Sequence, residues 1–156
     1  MARAYVGIGS NLLDPARQVR AAIDALRALG SVVAVSSLYR TTPWGTVRNQ
    51  SDFINAAVAL ETQLDPHALL GALKTLECEL GRDPAGERWG PRAIDLDILI
   101  YEGVEMAEPE LTIPHPRLHE RAFALVPLAE IAPQYAALRD ALTQTERDAV
   151  ALFLSS

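Results

Sequence analysis

Residues 93–101 read AIDLDILIY. As a strand, this run sends Ile94, Leu96, Ile98 and Ile100 to one face and Asp95 and Asp97 to the other. No other stretch constrains the fold as much. It requires a sheet whose aliphatic face is covered and whose opposite face accommodates two carboxylates. Aspartate is depleted in strands, and like charges on one face repel unless something positive compensates. The two side chains start about 6.5–7 Å apart, two strand steps of about 3.3 Å each. Carboxyl groups at that spacing can converge on divalent ions. Hard oxygen donors without a neighbouring thiol suit Mg2+ better than Zn2+. The competing reading is a solvated strand face with incidental charges.

The rest of the chain supplies the cover. AYVGIG at 4–9 reads as a strand with Gly7 and Gly9 on one face. Asp14–Pro15 predicts a helix start with a side-chain cap, Val19, Ile23 and Leu26 follow at helical spacing, and Gly30 is the expected stop. VVAVSSLYR at 32–40 predicts one strand, and 43–52 a loop. FINAAVALET at 53–62 predicts a strand with Phe53, Asn55, Ala57 and Ala59 on one face. Asp65–Pro66 opens a second helix, with a stripe of Leu69, Leu73, Leu76 and Leu80 and a stop at Gly81. A second loop spans 82–92. LTIPH at 111–115 reads as a short strand, 117–132 as a short helix with a strand or loop, and 143–154 as a final helix capped by Thr143 or Thr145. Strand, helix, strand, strand, helix, strand is the split βαβ order. It predicts an α+β, ferredoxin-like sandwich: an antiparallel sheet with helices on one face and the other face free for a site.

The chain has 156 residues, enough for one domain with a real core, and we expect a single catalytic domain over 1–156. The net charge of −6 argues against a nucleic-acid platform. No apolar run spans a bilayer, and MARAYVGIGSNL lacks the apolar stretch of a signal peptide. Cys78 is the single cysteine, so no internal disulfide forms; a cytoplasmic monomer is the expectation.

Other residues suggest phosphate chemistry. Arg82, Arg92 and Arg88 punctuate a loop containing Pro84, Gly86, Gly90 and Pro91. Three guanidinium groups beside a candidate Mg2+ site make a phosphate-binding set; salt bridges to Asp83 and Glu87 are the plainer alternative. In HPRLHER at 115–121, His115 and Arg121 fit phosphate contact, whereas a zinc site from His115 and His119 lacks thiolate partners. Phe53, Asn55 and Phe123 suit a flat heterocycle, with rings to stack and an amide to pair with its edge. The usual P-loop and dinucleotide motifs are absent.

RWGPRAIDLDILIY at 88–101 resembles the signature of the 6-hydroxymethyl-7,8-dihydropterin pyrophosphokinase family. GSNL at 9–12, SSLYRT at 36–41, DFINAAVALET at 52–62 and LTIPHPRLHERAFALVPLAEIAP at 111–133 resemble it in the same order. The resemblance implies a ferredoxin-like fold and transfer of pyrophosphate from ATP to the hydroxymethyl group of the dihydropterin, releasing AMP, in folate biosynthesis. It also implies two Mg2+ ions held by Asp95 and Asp97, with Arg82, Arg92 and Asp97 as the catalytic set. ATP would meet Lys74, Glu77, Arg82, Arg92, Ile98, Thr112, His115 and Arg121, with Lys74 and Glu77 one helix face away from the buried stripe. The pterin would lie between Phe53 and Phe123, bonded by Asn55 and lined by Thr41, Pro43, Trp44 and Trp89. This chain departs from some members at Phe53 and Pro116, where they carry Tyr, and at Pro84, where a basic residue is common. A non-catalytic nucleotide- or pterin-binding module of the same fold is the alternative.

Overall fold

A computed structural model of the chain describes residues 1–11, 14–41, 52–81 and 94–154. The first strand, β1 (Ala2–Ser10), leads into α1 (Pro15–Leu26). Strands β2 (Ser31–Val35), β3 (Leu38–Thr41) and β4 (Phe53–Thr62) follow, then α2 (Pro66–Glu79) and β5 (Asp95–Tyr101). A short pair, β6 (Met106–Ala107) and β7 (Thr112–Ile113), precedes α3 (Ala122–Ile131). Two five-residue helices, α4 (Ala136–Asp140) and α5 (Gln144–Asp148), lead to β8 (Ala151–Leu154).

The main sheet has the order β5-β1-β4-β3-β8, with β2 also paired to β4. Every pairing in it is antiparallel. The two βα units therefore interleave, as the split βαβ order predicts. Val6 and Ile8 of β1, Ile54, Ala56, Val58 and Leu60 of β4, and Leu96 and Ile98 of β5 meet Val19, Ile23 and Leu26 of α1 and Leu69, Leu73 and Leu76 of α2. This is the main core, and its alternation is the one the sequence predicts.

The opposite face is not wholly free. Leu125 and Leu128 of α3, with Leu118 and Leu142, pack on Tyr5, Ala59, Leu99 and Ile100. Half of the face is thus a second core, built from a segment whose helix the sequence marks only loosely. Glu130 fixes α3 to the sheet by accepting from the backbone N–H of Ser37, the Ser37 hydroxyl and the Tyr39 phenol.

Local chemistry explains the other differences. The expected strand over 32–40 breaks at Ser36, whose hydroxyl takes the Ala57 N–H at 2.8 Å in place of a strand carbonyl. Asp14 adopts φ 53° and makes no side-chain cap, unlike Asp65, which accepts from the Ala68 N–H at 2.8 Å. Helix α1 stops at Leu26; Gly30 serves a close approach instead, because a Cβ there would lie 2.1 Å from the Glu61 carbonyl oxygen. Gly81, at φ 100°, does follow the end of α2 as expected. The Thr143 cap is present, but its helix is short and the chain then turns into β8 against β3. A β-bulge opposite Tyr5/Val6 makes Leu99 an extra residue, so Ile100 pairs with Tyr5 and leaves the face shared by Leu96 and Ile98.

Candidate active site

Among the described residues, the part of the second face left uncovered lies at the Asp95 end of β5. Asp95 pairs with Gly9 of β1, and Gly9 with Asn55 of β4; on the next rung Asp97 pairs with Gly7, and Gly7 with Ala57. Side chains in register share a face, so Asp95 and Asn55 stand two strand spacings apart, about 10 Å. Between them β1 contributes only glycine. The result is a flat floor with carboxylates along one side and a carboxamide on the other.

Asn55 is 4% exposed, and its Nδ2 donates to the Thr41 hydroxyl at 2.9 Å. Phe53, half-buried, lies on the same face of β4 next to Thr41 of β3. Phe123 stands in the first turn of α3, with the Arg121 guanidinium 5.5 Å from its ring centroid. Phe123 packs against the second core at the start of α3, and Arg121, the residue before that helix, is close enough to act on the charge of Asp97.

Electrostatics gather at the carboxylate side. Burial, reinforced by the charge of Asp95, raises the Asp97 carboxyl from 3.8 to about 6, while Lys74 and Arg121 pull it down. Lys74, Arg121 and Glu77 therefore lie within electrostatic reach of Asp97. Glu77 corrects an expectation: it is not on an outer helix face but 2% exposed, and its Oε2 accepts the Leu96 N–H at 2.7 Å. Among the described residues β5 is an edge strand, and this carboxylate satisfies a main-chain donor on its outer side. Lys74 Nζ lies 3.4 Å from the other Glu77 oxygen.

At the far end of β5, the Leu99 carbonyl accepts the His115 N–H at 2.9 Å, just after a cis Ile113–Pro114 bond. The His115 imidazole is lowered to about 4 by burial and by the charges of Arg121 and Arg117. The Arg117 N–H donates to Nδ1 at 3.3 Å, which leaves Nε2 as the hydrogen-bearing nitrogen of a neutral ring. Thr112 of β7 donates its hydroxyl to the Glu108 carbonyl. Ile98, 4% exposed, sends its side chain into the helix-covered core and offers a ligand only its main chain.

The described residues thus join Asp95, Asp97, Lys74, Glu77 and Arg121 around one side, Thr41, Phe53 and Asn55 at the other, and place Phe123 and His115 on the elements that flank them. Pro43, Trp44, Arg82, Trp89 and Arg92 lie outside the described residues. Sequence reasoning missed the floor itself: Gly7 and Gly9 share a face, and the register that sets them between Asp95 and Asn55 is tertiary information.

A family model described as 7,8-dihydro-6-hydroxymethylpterin-pyrophosphokinase matches residues 5–133. A 2-amino-4-hydroxy-6-hydroxymethyldihydropteridine pyrophosphokinase of Methylorubrum extorquens is 50% identical over 135 residues, 85% of this chain and 84% of the relative. The enzyme of that name from Pseudomonas aeruginosa is 46% identical over 133 residues, 84% of this chain and 81% of the relative. Among solved structures, wild-type Plasmodium falciparum HPPK-DHPS with pteroate superposes with a TM-score of 0.71 at 17% identity. That match covers 89% of this chain but 42% of the longer one, and it speaks to the fold alone.

Proposed function

The chain belongs to the 7,8-dihydro-6-hydroxymethylpterin-pyrophosphokinase family, and we propose that the open end of its sheet is where pyrophosphate leaves ATP for the hydroxymethyl oxygen of the dihydropterin. The activity is that of an ATP-dependent diphosphotransferase of folate biosynthesis, with ATP as co-substrate and AMP as the second product. One observation carries the placement: twin carboxylates and a buried carboxamide share a sheet face, two strands apart, with glycine between them. Two substrates can lie end to end across such a floor, one over each side.

On the ring side, Asn55 bonds the polar edge of the pterin while Phe53 and Phe123 stack on its faces. Thr41 holds the Asn55 amide, and Pro43, Trp44 and Trp89 complete the pocket by family resemblance. On the phosphate side, Arg121 and the neutral Nε2–H of His115 contact phosphate oxygens, Arg82 and Arg92 grip the transferring group, and Lys74 borders it with Glu77 beneath. The alternation that turns the Leu96 N–H outward on β5 turns that of Ile98 outward too, toward the adenosine, with Thr112 beside it.

The aspartate pair fits a divalent cation. Its donors are all oxygen, they share a face, and the Asp97 carboxyl is raised first by burial and then by the charge of Asp95, both of which a positive ion would offset. Magnesium, of which we propose two ions held by Asp95 and Asp97, supplies charge neutralisation for the transferring group when bound. The side chains do the positioning: hydroxymethyl oxygen and β-phosphorus are brought into line, and Asp97 takes the hydroxyl proton. We further read residues 1–156 as one catalytic domain, a cytoplasmic monomer. No helix among the described residues is long and apolar enough to cross a membrane.

Incubation with ATP, Mg2+ and the dihydropterin, followed by nucleotide separation, tests this. AMP formed only when pterin is present is the expected result. ADP or free phosphate, or turnover unchanged in Asp97→Ala, would overturn it.

A further inference from the structure

We infer that Gly9 is a specificity-determining residue of the pterin side, acting through the orientation of the Asn55 amide. This rests on the proposed role of Asn55. Gly9 faces Asn55 directly across β1 and β4, and a Cβ built on it would lie 2.9 Å from Asn55 Oδ1. That is closer than real side chains come, so one of the two must move. The floor cannot give way, because Gly9 lies in the middle of the sheet between β4 and β5.

Asn55 cannot yield cheaply either. It is 4% exposed, and its Nδ2 is committed to the Thr41 hydroxyl at 2.9 Å. Exchanging oxygen and nitrogen by a half-turn of the amide does not help, since Nδ2 would then occupy the crowded position. Relief requires a rotation that breaks the Thr41 bond and re-aims both polar atoms. Thr41 from one side and the bare Cα of Gly9 from the other thus fix one orientation of a group with two donors and one acceptor oxygen. A heterocycle edge is read by that orientation, because a displaced pattern leaves its polar atoms unpaired. Gly9 pairs with Asp95 through the backbone, but among the described residues a Cβ on it would meet only Asn55 within 4 Å, so the ATP side should not register the substitution.

The contrast with Gly7 supports a local cause. A Cβ at Gly7 would meet the Leu99 side chain first, at 3.1 Å, a tight contact but not one that forces a shift as at Gly9. The stringent contact on the floor is the one with the carboxamide.

The test is a double-mutant cycle of Gly9→Ala and Asn55→Ala. Affinity for the dihydropterin is measured by calorimetry with α,β-methylene-ATP present, and analogue affinity and thermal unfolding are followed alongside. Gly9→Ala should weaken pterin binding about tenfold, roughly the loss of one neutral hydrogen bond. In the Asn55→Ala background the same change should cost less than about twofold, because the group it displaces is gone. Analogue affinity should stay within about twofold throughout. An equal penalty in both backgrounds, or none in either, overturns the inference while leaving the role of Asn55 intact. If Asn55→Ala itself leaves pterin affinity unchanged, the underlying reading of the site fails instead. Should Gly9→Ala unfold, Thr41→Val removes the other restraint with little change of volume, and it must then show the same loss and the same dependence on Asn55.

Discussion

Asp97→Asn should stabilise the metal-free protein at neutral pH while abolishing its activity. The Asp97 carboxyl rises from 3.8 to about 6, first through burial and then through Asp95. A carboxyl whose folded pKa is raised holds its proton more tightly in the native state. Its contribution to stability is therefore complete below pH 4 and is lost as pH climbs through 6. Two units at about 1.4 kcal/mol each give a penalty of about 3 kcal/mol at pH 8, a ceiling because the side chain is only half-buried. Asparagine copies the shape of the protonated acid without the charge. Urea unfolding in EDTA, from pH 4 to 8, should show a gap between variant and wild type that is near zero at pH 4 and grows to about 2–3 kcal/mol. At about 2–4 °C per kcal/mol for a chain of this size, this is roughly 4–12 °C in Tm at pH 8. Adding Mg2+ should narrow the gap, because only the wild type gains from the cation. A gap independent of pH, or a variant less stable at pH 8, would refute the electrostatic account of the site.

Three further outcomes follow from the same geometry. Glu77→Ala strands the Leu96 N–H and should cost about 1–3 kcal/mol by chemical denaturation; Glu77→Gln, which keeps an acceptor, should cost less than about 1, and equal losses would show that the bond is not what matters. The His115 imidazole should titrate in NMR with a midpoint near 4. Unfolded chains take up a proton below pH 6.5 that the native ring refuses, so stability from this group is full above 6.5 and lost as pH falls toward 4; a midpoint near 6.5 would contradict the burial assigned to it. Gly30→Ala drives a Cβ into the Glu61 carbonyl and should lower stability by about 1–3 kcal/mol; an unchanged melting curve would mean that the turn after α1 has slack.

What could be read from the sequence was what is local. Alternation in 53–62 and 94–98 sorts side chains between faces, and Asp65–Pro66 with Gly81 brackets α2, because such signals involve neighbours in the chain. The aspartate pair was visible for the same reason. Helical spacing sets Glu77 off the leucine stripe, whereas its burial depends on an edge-strand N–H nineteen residues away. Asp14 has the chemistry of a cap but a left-handed backbone that aims it elsewhere. The 151–154 segment followed a well-capped helix start, and nothing nearby revealed that β3 leaves an edge for it to pair with. The partial cover of the second face by α3 arises from long-range packing that periodicity does not report.

Leu99 is the spare residue in β5. Were it removed, Ile98 and Ile100 would fall opposite Val6 and Tyr5 in an ordinary ladder, and every other side chain would keep its present side. Its insertion is therefore not needed to sort the core. Beyond a side chain for the second core, it adds a carbonyl on the outer margin of the sheet, and that carbonyl tethers His115. A kink in a strand thus acts as the mooring for a separate loop, and the place of the His115 imidazole is set by one extra peptide unit.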